Sequence, residues 1–210
     1  MKPLMYGVLF MLGLVTFDGH AEKVNPFNYY GVALQSNSYD GIDFLPQFDT
    51  ADLAPLSFSK NTSGQGFRGF VGHHFNQYVA IEGGFSSLGK AKFTVTDKAG
   101  ATTTNTTVHK GDFSTFTADV RGVFTYPLNP KIFLKAHVGA LVWTNKFEYL
   151  TGSGNTPVLK KDSDSGVSVL AGVGLGYGFN KKVAMSVDFE QTEIADITTK
   201  TLGVSLSIRF

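Results

Sequence analysis

Beyond its first two dozen residues the chain alternates between apolar and small or polar side chains with a period of two. The last segment, residues 200–210, carries the pattern most fully. Leu202, Val204, Leu206, Ile208 and Phe210 fall on one face, and Thr201, Gly203, Ser205, Ser207 and Arg209 on the other. Successive side chains of a strand point to opposite sides, so this period predicts a strand with one greasy face. Its length matches the roughly 9 to 11 residues that a tilted strand needs to cross a bilayer. Seven earlier segments read the same way, at about 28–36, 66–75, 78–88, 113–126, 131–143, 166–179 and 182–192. In 166–179, for example, Val167, Val169, Val173, Leu175 and Tyr177 oppose Ser168, Gly172, Gly174 and Gly176.

The connections alternate as well. Short ones fall near Asn76-Gln77, Leu128-Asn129-Pro130 and Asn180-Lys181. Long polar ones are expected at 37–63, 90–112 and 150–164, with a shorter one at 193–199. An even number of strands with short turns at one end and long loops at the other is the arrangement of a bacterial outer-membrane barrel. The fold class expected is therefore all-β: an eight-stranded antiparallel up-and-down transmembrane β-barrel, with short periplasmic turns and long extracellular loops. A soluble barrel would alternate too, but with its greasy face inside. Here the opposite face is mostly Gly, Ala, Ser and Thr, small enough to fill a narrow interior, while Val, Leu, Ile and Phe suit lipid. Tyr30, Phe75, Tyr78, Tyr126, Tyr177 and Phe179, with Phe210, gather near the short turns and resemble a periplasmic-side aromatic girdle. High β-propensity is the plainer account of the same aromatics.

Composition narrows the picture. The 210 residues fit one domain. Charged residues are 17% of the chain, below the usual level of about 25%. Mean hydropathy is close to zero, so arrangement rather than bulk greasiness carries the membrane signal. A net charge of +1 gives no reason to expect nucleic acid. With no cysteine, disulfides, thiolate metal sites and a lipidated N-terminal cysteine are excluded. At the N-terminus, Lys2, an apolar run over 4–17 and Gly19-His20-Ala21 read as a cleavable signal peptide, 1–21, leaving a barrel domain of 22–210. The run is short for a membrane anchor, which needs about 20 apolar residues.

The stretch from Asn76 through Tyr78-Val79-Ala80-Ile81-Glu82-Gly83-Gly84-Phe85, followed by Leu88-Gly89, resembles the second and third strands of the outer membrane protein A transmembrane domain. Gly139-Ala140-Leu141-Val142-Trp143 resembles its fifth strand, residues 164–192 its sixth and seventh, and Ser207-Ile208-Arg209-Phe210 the close of its eighth. The resemblance covers nearly all of 22–210 except the first two long loops. It implies that Phe210 is the signal read by the barrel-assembly machinery. It also implies that Glu82 pairs with basic lumen residues in a gate, with His137 at the family's fifth-strand basic position. Two positions depart from the family: Val123 stands where it has a lysine, with Arg121 one inward step away, and Gly176 where it has a carboxylate. Many members continue into a periplasmic peptidoglycan-binding domain; this sequence stops at Phe210.

By strand parity, Arg68, Arg121, Lys135 and Arg209 face inward with Glu82, Asp119, Asp188 and Glu190, and His137 joins them. An eight-stranded interior is just wide enough for its own side chains, so these charges are expected to pair as a lumen network. His73 and His74 are adjacent and so point to opposite faces, a poor start for a metal site. No catalytic set and no cofactor are expected. Three functions compete. The first is a structural and surface-contact protein, anchored among outer-membrane lipid and lipopolysaccharide, whose loops meet a host-surface or phage ligand. The second is a narrow gated ion pore. The third is a lipid-modifying barrel enzyme, which needs a Ser, a His and an acid near the outer rim; only His109 falls in an outer loop. A monomer without a nucleic-acid partner is expected.

Overall fold

A computed structural model describes residues 25–40, 56–97, 106–151 and 158–210; the expected export segment 1–21 lies outside them. The described residues form nine strands: β1 (Phe27–Asp40), β2 (Leu56–Asn61), β3 (Ser63–His74), β4 (Val79–Asp97), β5 (Thr106–Pro127), β6 (Ile132–Thr151), β7 (Val158–Gly178), β8 (Val183–Ile194) and β9 (Ile197–Arg209). β2 and β3 are separated by Thr62 alone and both lie on β4, so together they make one wall strand. Every neighbouring pair is antiparallel. The ring closes where β9 meets β1, from Tyr29↔Arg209 to Asp40↔Thr198. The result is an eight-stranded closed barrel, whose strands pair all the way round it.

The three short turns share one design. In Phe75–Tyr78, Leu128–Lys131 and Phe179–Lys182 the second residue is asparagine. Its side-chain oxygen accepts two backbone N–H bonds: Asn76 from Tyr78 and Val79, Asn129 from Lys131 and Ile132, and Asn180 from Lys182 and Val183, all at 2.7–2.9 Å. Asn side chains mimic the backbone in this way, so the sequence specifies where each strand reverses.

Around the wall the alternation holds, but its sign changes along the barrel. Below, outward residues are apolar: on β5, Phe116, Val120, Phe124 and Tyr126 are exposed while Thr115, Thr117, Asp119 and Arg121 are buried. Phe116 to Tyr126 covers about 25 Å of barrel height at the usual rise and tilt, the thickness of an outer-membrane apolar band. Above this band the pattern inverts. Lys90, Lys92 and Lys146 point outward and are exposed, while Ala91 and Phe113 are buried inside. The greasy face follows the lipid up to the rim and then turns inward where water takes over.

The loop expectations are corrected by that inversion. Segments 90–112 and 150–164 are largely strand, because polar outward residues above the rim alternate as well as apolar ones do: β4 runs on to Asp97, β5 begins at Thr106, β6 ends at Thr151 and β7 begins at Val158. Within 37–63, residues through Asp40 and from Leu56 are strand. The connection expected at 193–199 is a two-residue turn, Ala195-Asp196, with φ of 51° and 62°. That is the twist a tight hairpin demands.

Two features shape the outer end. At Gly89, φ is +80° and the β4–β5 register shifts between Ser87 and Lys90. A Cβ there would lie 2.2 Å from the Gln65 carbonyl oxygen, so only glycine fits the bulge. The wall height is also uneven. β7 pairs with β6 up to Val158 but with β8 only from Leu170, so its upper half has one open edge. On that stretch the Ser163 and Ser165 N–H groups are taken by the preceding carboxylates, Asp162 and Asp164, each at 2.8 Å. The Val169 carbonyl accepts the Thr192 hydroxyl at 2.9 Å.

Candidate functional site

The chemistry of the described residues is concentrated in the lumen, which is filled in three layers. At the short-turn end Tyr29, Phe70, Ala80 and Val123 form an apolar layer with Phe27 against it. At the loop end Tyr39, Leu88, Ala91, Phe113, Leu141, Trp143, Leu170 and Ile194 form a larger one. Between them lies a charged layer. Sheet register places its members, since Glu82 stands opposite Arg121 on β5, and Asp119 opposite Gly84 on β4.

Arg68 is the hub. Its Nε and Nη2 donate to the two Asp119 oxygens at 3.1 and 2.8 Å, and its Nη1 donates to Glu82 at 3.1 Å. Arg121 donates to Asp119 from Nε at 2.7 Å and to Glu190 from Nη1 at 2.5 Å. His137 Nε2 lies 3.1 Å from the same Glu190 oxygen. Lys135 Nζ sits 3.4 Å from Asp188 and 3.8 Å from Glu82. The Tyr29 hydroxyl donates to Glu82 at 2.9 Å, and Ser186 to Asp188 at 2.6 Å. Arg68, Arg121 and Lys135 thus meet four carboxylates, Glu82, Asp119, Asp188 and Glu190. Removal from water is costly for each charge, and bidentate pairing offsets it best.

Glycine makes room for this layer. A Cβ on Gly84 would lie 2.8 Å from the Arg68 guanidinium, one on Gly172 2.4 Å from His137 Nε2, and one on Gly174 2.2 Å from Asp188. The Gly-x-Gly-x-Gly run of β7 is therefore a row of hollows for side chains from adjacent strands. Gly176, where the resembling family has a carboxylate, accommodates the Phe133 ring. Val123, at the family lysine position, belongs to the lower apolar layer.

Eight of the nine sequence-derived lumen residues come together: Arg68, Glu82, Asp119, Arg121, Lys135, His137, Asp188 and Glu190. Arg209 is the exception. Its guanidinium stacks on Phe27 at 4.0 Å, and the other side of the lower mouth has His74 stacked on that same ring at 4.7 Å. Arg209 stands at the end of β9, at the short-turn end of the barrel and below the charged layer. His73 turns outward to Asn28 at 2.7 Å. The expected girdle residues Tyr30, Phe75, Tyr78, Tyr126, Tyr177 and Phe179 are exposed, as is Phe210. Tyr30 packs by Phe210 and Tyr177 by Phe179. The His109 side chain lies outside the described residues. The upper apolar layer was not anticipated, although inward Leu141, Trp143 and Leu170 already signalled it.

Packing leaves a lumen cavity of about 30 Å³ beside Gln35, Lys135, His137 and Asp188. Gln35 and His137 line it, their Oε1 and Nδ1 atoms have no protein hydrogen-bond partner, and such a space suits an ordered water. The Ser186 hydroxyl contacts a carboxylate and the Ser205 hydroxyl at 2.7 Å, not an imidazole. The arrangement can hold charge and order water.

Comparison with known proteins agrees with this architecture. The chain is 25% identical over 180 residues to outer membrane protein A of Serratia marcescens, covering 86% of this chain. It spans 46% of that relative's length, so only about half of the relative is represented. Among solved structures it resembles Ail, the attachment invasion locus protein of Yersinia pestis, at 18% identity and TM-score 0.51, covering 88% of this chain and 97% of that one. It also resembles the outer membrane protein OprG from Pseudomonas aeruginosa, at 10% identity and TM-score 0.51, covering 90% and 97%. These identities speak for the fold alone. A family model matches residues 8–210, and the chain belongs to the outer membrane protein β-barrel domain family, whose place is the cell outer membrane.

Proposed function

We propose that the protein is a non-enzymatic surface-contact barrel, anchored by its wall and plugged by its charged lumen layer, which meets external ligands through its projecting strands. The observation that carries this reading is the mismatch between wall and membrane. β4 to β7 continue well beyond the apolar band, and the interior is packed with Leu141, Trp143 and Leu170 near the top of the band and with Phe113 above it. A rigid extension over a stoppered lumen serves contact better than transport. The Yersinia pestis protein of similar fold is named for attachment and invasion, and such a role accords with this reading.

Replacing residues 146–163 by a two-residue turn removes the tip of the β6–β7 hairpin and leaves the spanning strands. Bacteria carrying this variant should adhere less to cultured epithelial monolayers than bacteria carrying the full-length protein at equal surface level. Undiminished adherence would refute the contact role. The same purified protein should begin at Glu22 if residues 1–21 are a cleaved signal, as mass spectrometry would report.

A narrow ion pore is the second reading, supported by the small cavity inside the charged layer. Under it, Glu82→Ala should raise single-channel conductance in a planar bilayer. An unchanged trace removes the salt-bridge gate, and a wild type that does not conduct removes the pore.

A further inference from the structure

The fixed charges of the lumen layer do not cancel. Arg68, Arg121 and Lys135 carry three positive charges, while Glu82, Asp119, Asp188 and Glu190 carry four negative ones. Arg209 does not close the gap, because its guanidinium is stacked on Phe27 at the lower mouth. Apolar layers lie above and below, so a surplus charge between them is costly. Unmet bonding falls in the same place. Among the described residues four buried side-chain polar atoms lack a hydrogen-bond partner. Three of them, Gln35 Oε1, His137 Nδ1 and Asp188 Oδ1, belong to residues that line the cavity of about 30 Å³. Gln35 and His137 are only 8% and 4% exposed. With Nε2 placed 3.1 Å from Glu190, the neutral His137 ring carries its proton there and keeps Nδ1 as a bare acceptor. Lys135 Nζ stands 3.4 Å from Asp188 Oδ1 without a directed hydrogen bond. All three atoms are then acceptors, and a single water, with two hydrogens, leaves one of them unmet.

From this coincidence of charge and unmet acceptors we propose that the cavity binds one monovalent, oxygen-seeking cation of the sodium type, which completes the charged layer. The count asks for a single positive charge. A divalent ion would overshoot it, and such ions call for more carboxylates than the cavity offers. The donors are hard ones, as this class of ion prefers: the Gln35 amide oxygen and the Asp188 carboxylate, with two hydroxyls in the same lining. Both hydroxyls have lone pairs to give. Thr201 donates its hydrogen to Asn37 at 2.6 Å. Ser186 donates to Asp188, so the 2.7 Å contact between the two serines takes its hydrogen from Ser205. The cationic side chains that share the lining are already held on carboxylates: Arg68 and Arg121 by hydrogen bonds, and Lys135 between Asp188 and Glu82. The site gives the plug a ligand of its own and goes beyond the contact role of the projecting strands, which adherence measures separately.

The test is the unfolding equilibrium of the full barrel in phosphatidylcholine vesicles, read by Trp143 fluorescence in urea. Sodium chloride is compared with N-methylglucamine chloride, whose cation is too bulky for the cavity, at equal ionic strength and pH. Because the equilibrium is approached from the unfolded chain as well, the ion needs no path through the folded wall. Sodium at about ten times its half-effect concentration should lower the unfolding constant of the wild type about tenfold. Gln35→Met removes an oxygen ligand and Asp188→Asn removes the surplus charge. Both variants should unfold alike in the two salts. Heat-modifiable gel mobility reports whether each is folded, and either one suffices where the other is not. Equal unfolding of the wild type in both salts would overturn the site. So would a sodium effect that persists in the variants, which would mark a general salt effect. The third measurement is the nitrogen NMR of His137 in sodium-free medium at neutral pH, where Nδ1 should appear as a bare ring nitrogen. A ring protonated on both nitrogens would make the imidazolium the missing charge and remove the need for the ion.

Discussion

Removing the Arg68 guanidinium is the sharpest test of the lumen. Arg68→Met keeps an aliphatic stem beside Phe70, over whose ring the guanidinium carbon now sits at 4.7 Å, but deletes three charge-assisted hydrogen bonds. Asp119 and Glu82 remain almost wholly enclosed, with side-chain exposures of 1% and 2%. Breaking a buried pair by taking one partner costs about 3–5 kcal/mol. Here Arg121 still holds Asp119 at 2.7 Å and Lys135 stands 3.8 Å from Glu82, so the lower figure, about 3 kcal/mol, is expected. The assay is urea unfolding in vesicles followed by fluorescence of Trp143. It is the only tryptophan in the chain, and its indole N–H donates to Ser168 at 2.9 Å inside the barrel. The double variant Arg68→Met/Asp119→Leu removes both charges and should recover part of the loss, with a coupling of about 1.5 kcal/mol or more. A cost below about 1 kcal/mol for Arg68→Met, or simple additivity in the double variant, would refute the network as a stabilising unit.

Three further outcomes follow from the backbone. Gly89→Ala should destabilise by about 1–3 kcal/mol, because the residue combines a left-handed φ with the nearby Gln65 carbonyl; the same urea titration reads it. Asp196→Gly should stabilise by roughly 0.5–1 kcal/mol, since the second turn position already has positive φ; a lower unfolding midpoint would contradict the turn assignment. Asn129→Ala should cost about 1 kcal/mol by removing the acceptor of the Lys131 and Ile132 N–H groups, and slower refolding into vesicles would accompany it.

Much of this was legible because strand parity is strict. Once 200–210 was read as outward Leu202 and inward Thr201, every charge in the lumen had an assigned side, and Arg68, Glu82 and Asp119 meet across β3, β4 and β5. Parity says nothing about height, which is why Arg209 was grouped with residues a full layer above it. Strand length was harder. Lys90, Lys92 and Glu148 look like loop residues when greasiness is taken as the mark of a spanning strand. Outside lipid, however, the same alternation continues with its sign reversed, and inward Phe113 was the clue. Glycine hollows were invisible for a different reason: that Gly172 faces His137 depends on pairing between strands, which no single segment encodes.

The open upper margin of β7 bears on how this molecule behaves among its neighbours. A bare row of amide hydrogens is an invitation for a foreign chain to add itself as another strand. Here Asp162 and Asp164 fold back over the very hydrogens that such a newcomer would need, and their negative charge adds a repulsive fringe. Crowded into a bilayer with many copies of itself, the protein thus keeps its tall side from stitching one barrel to the next.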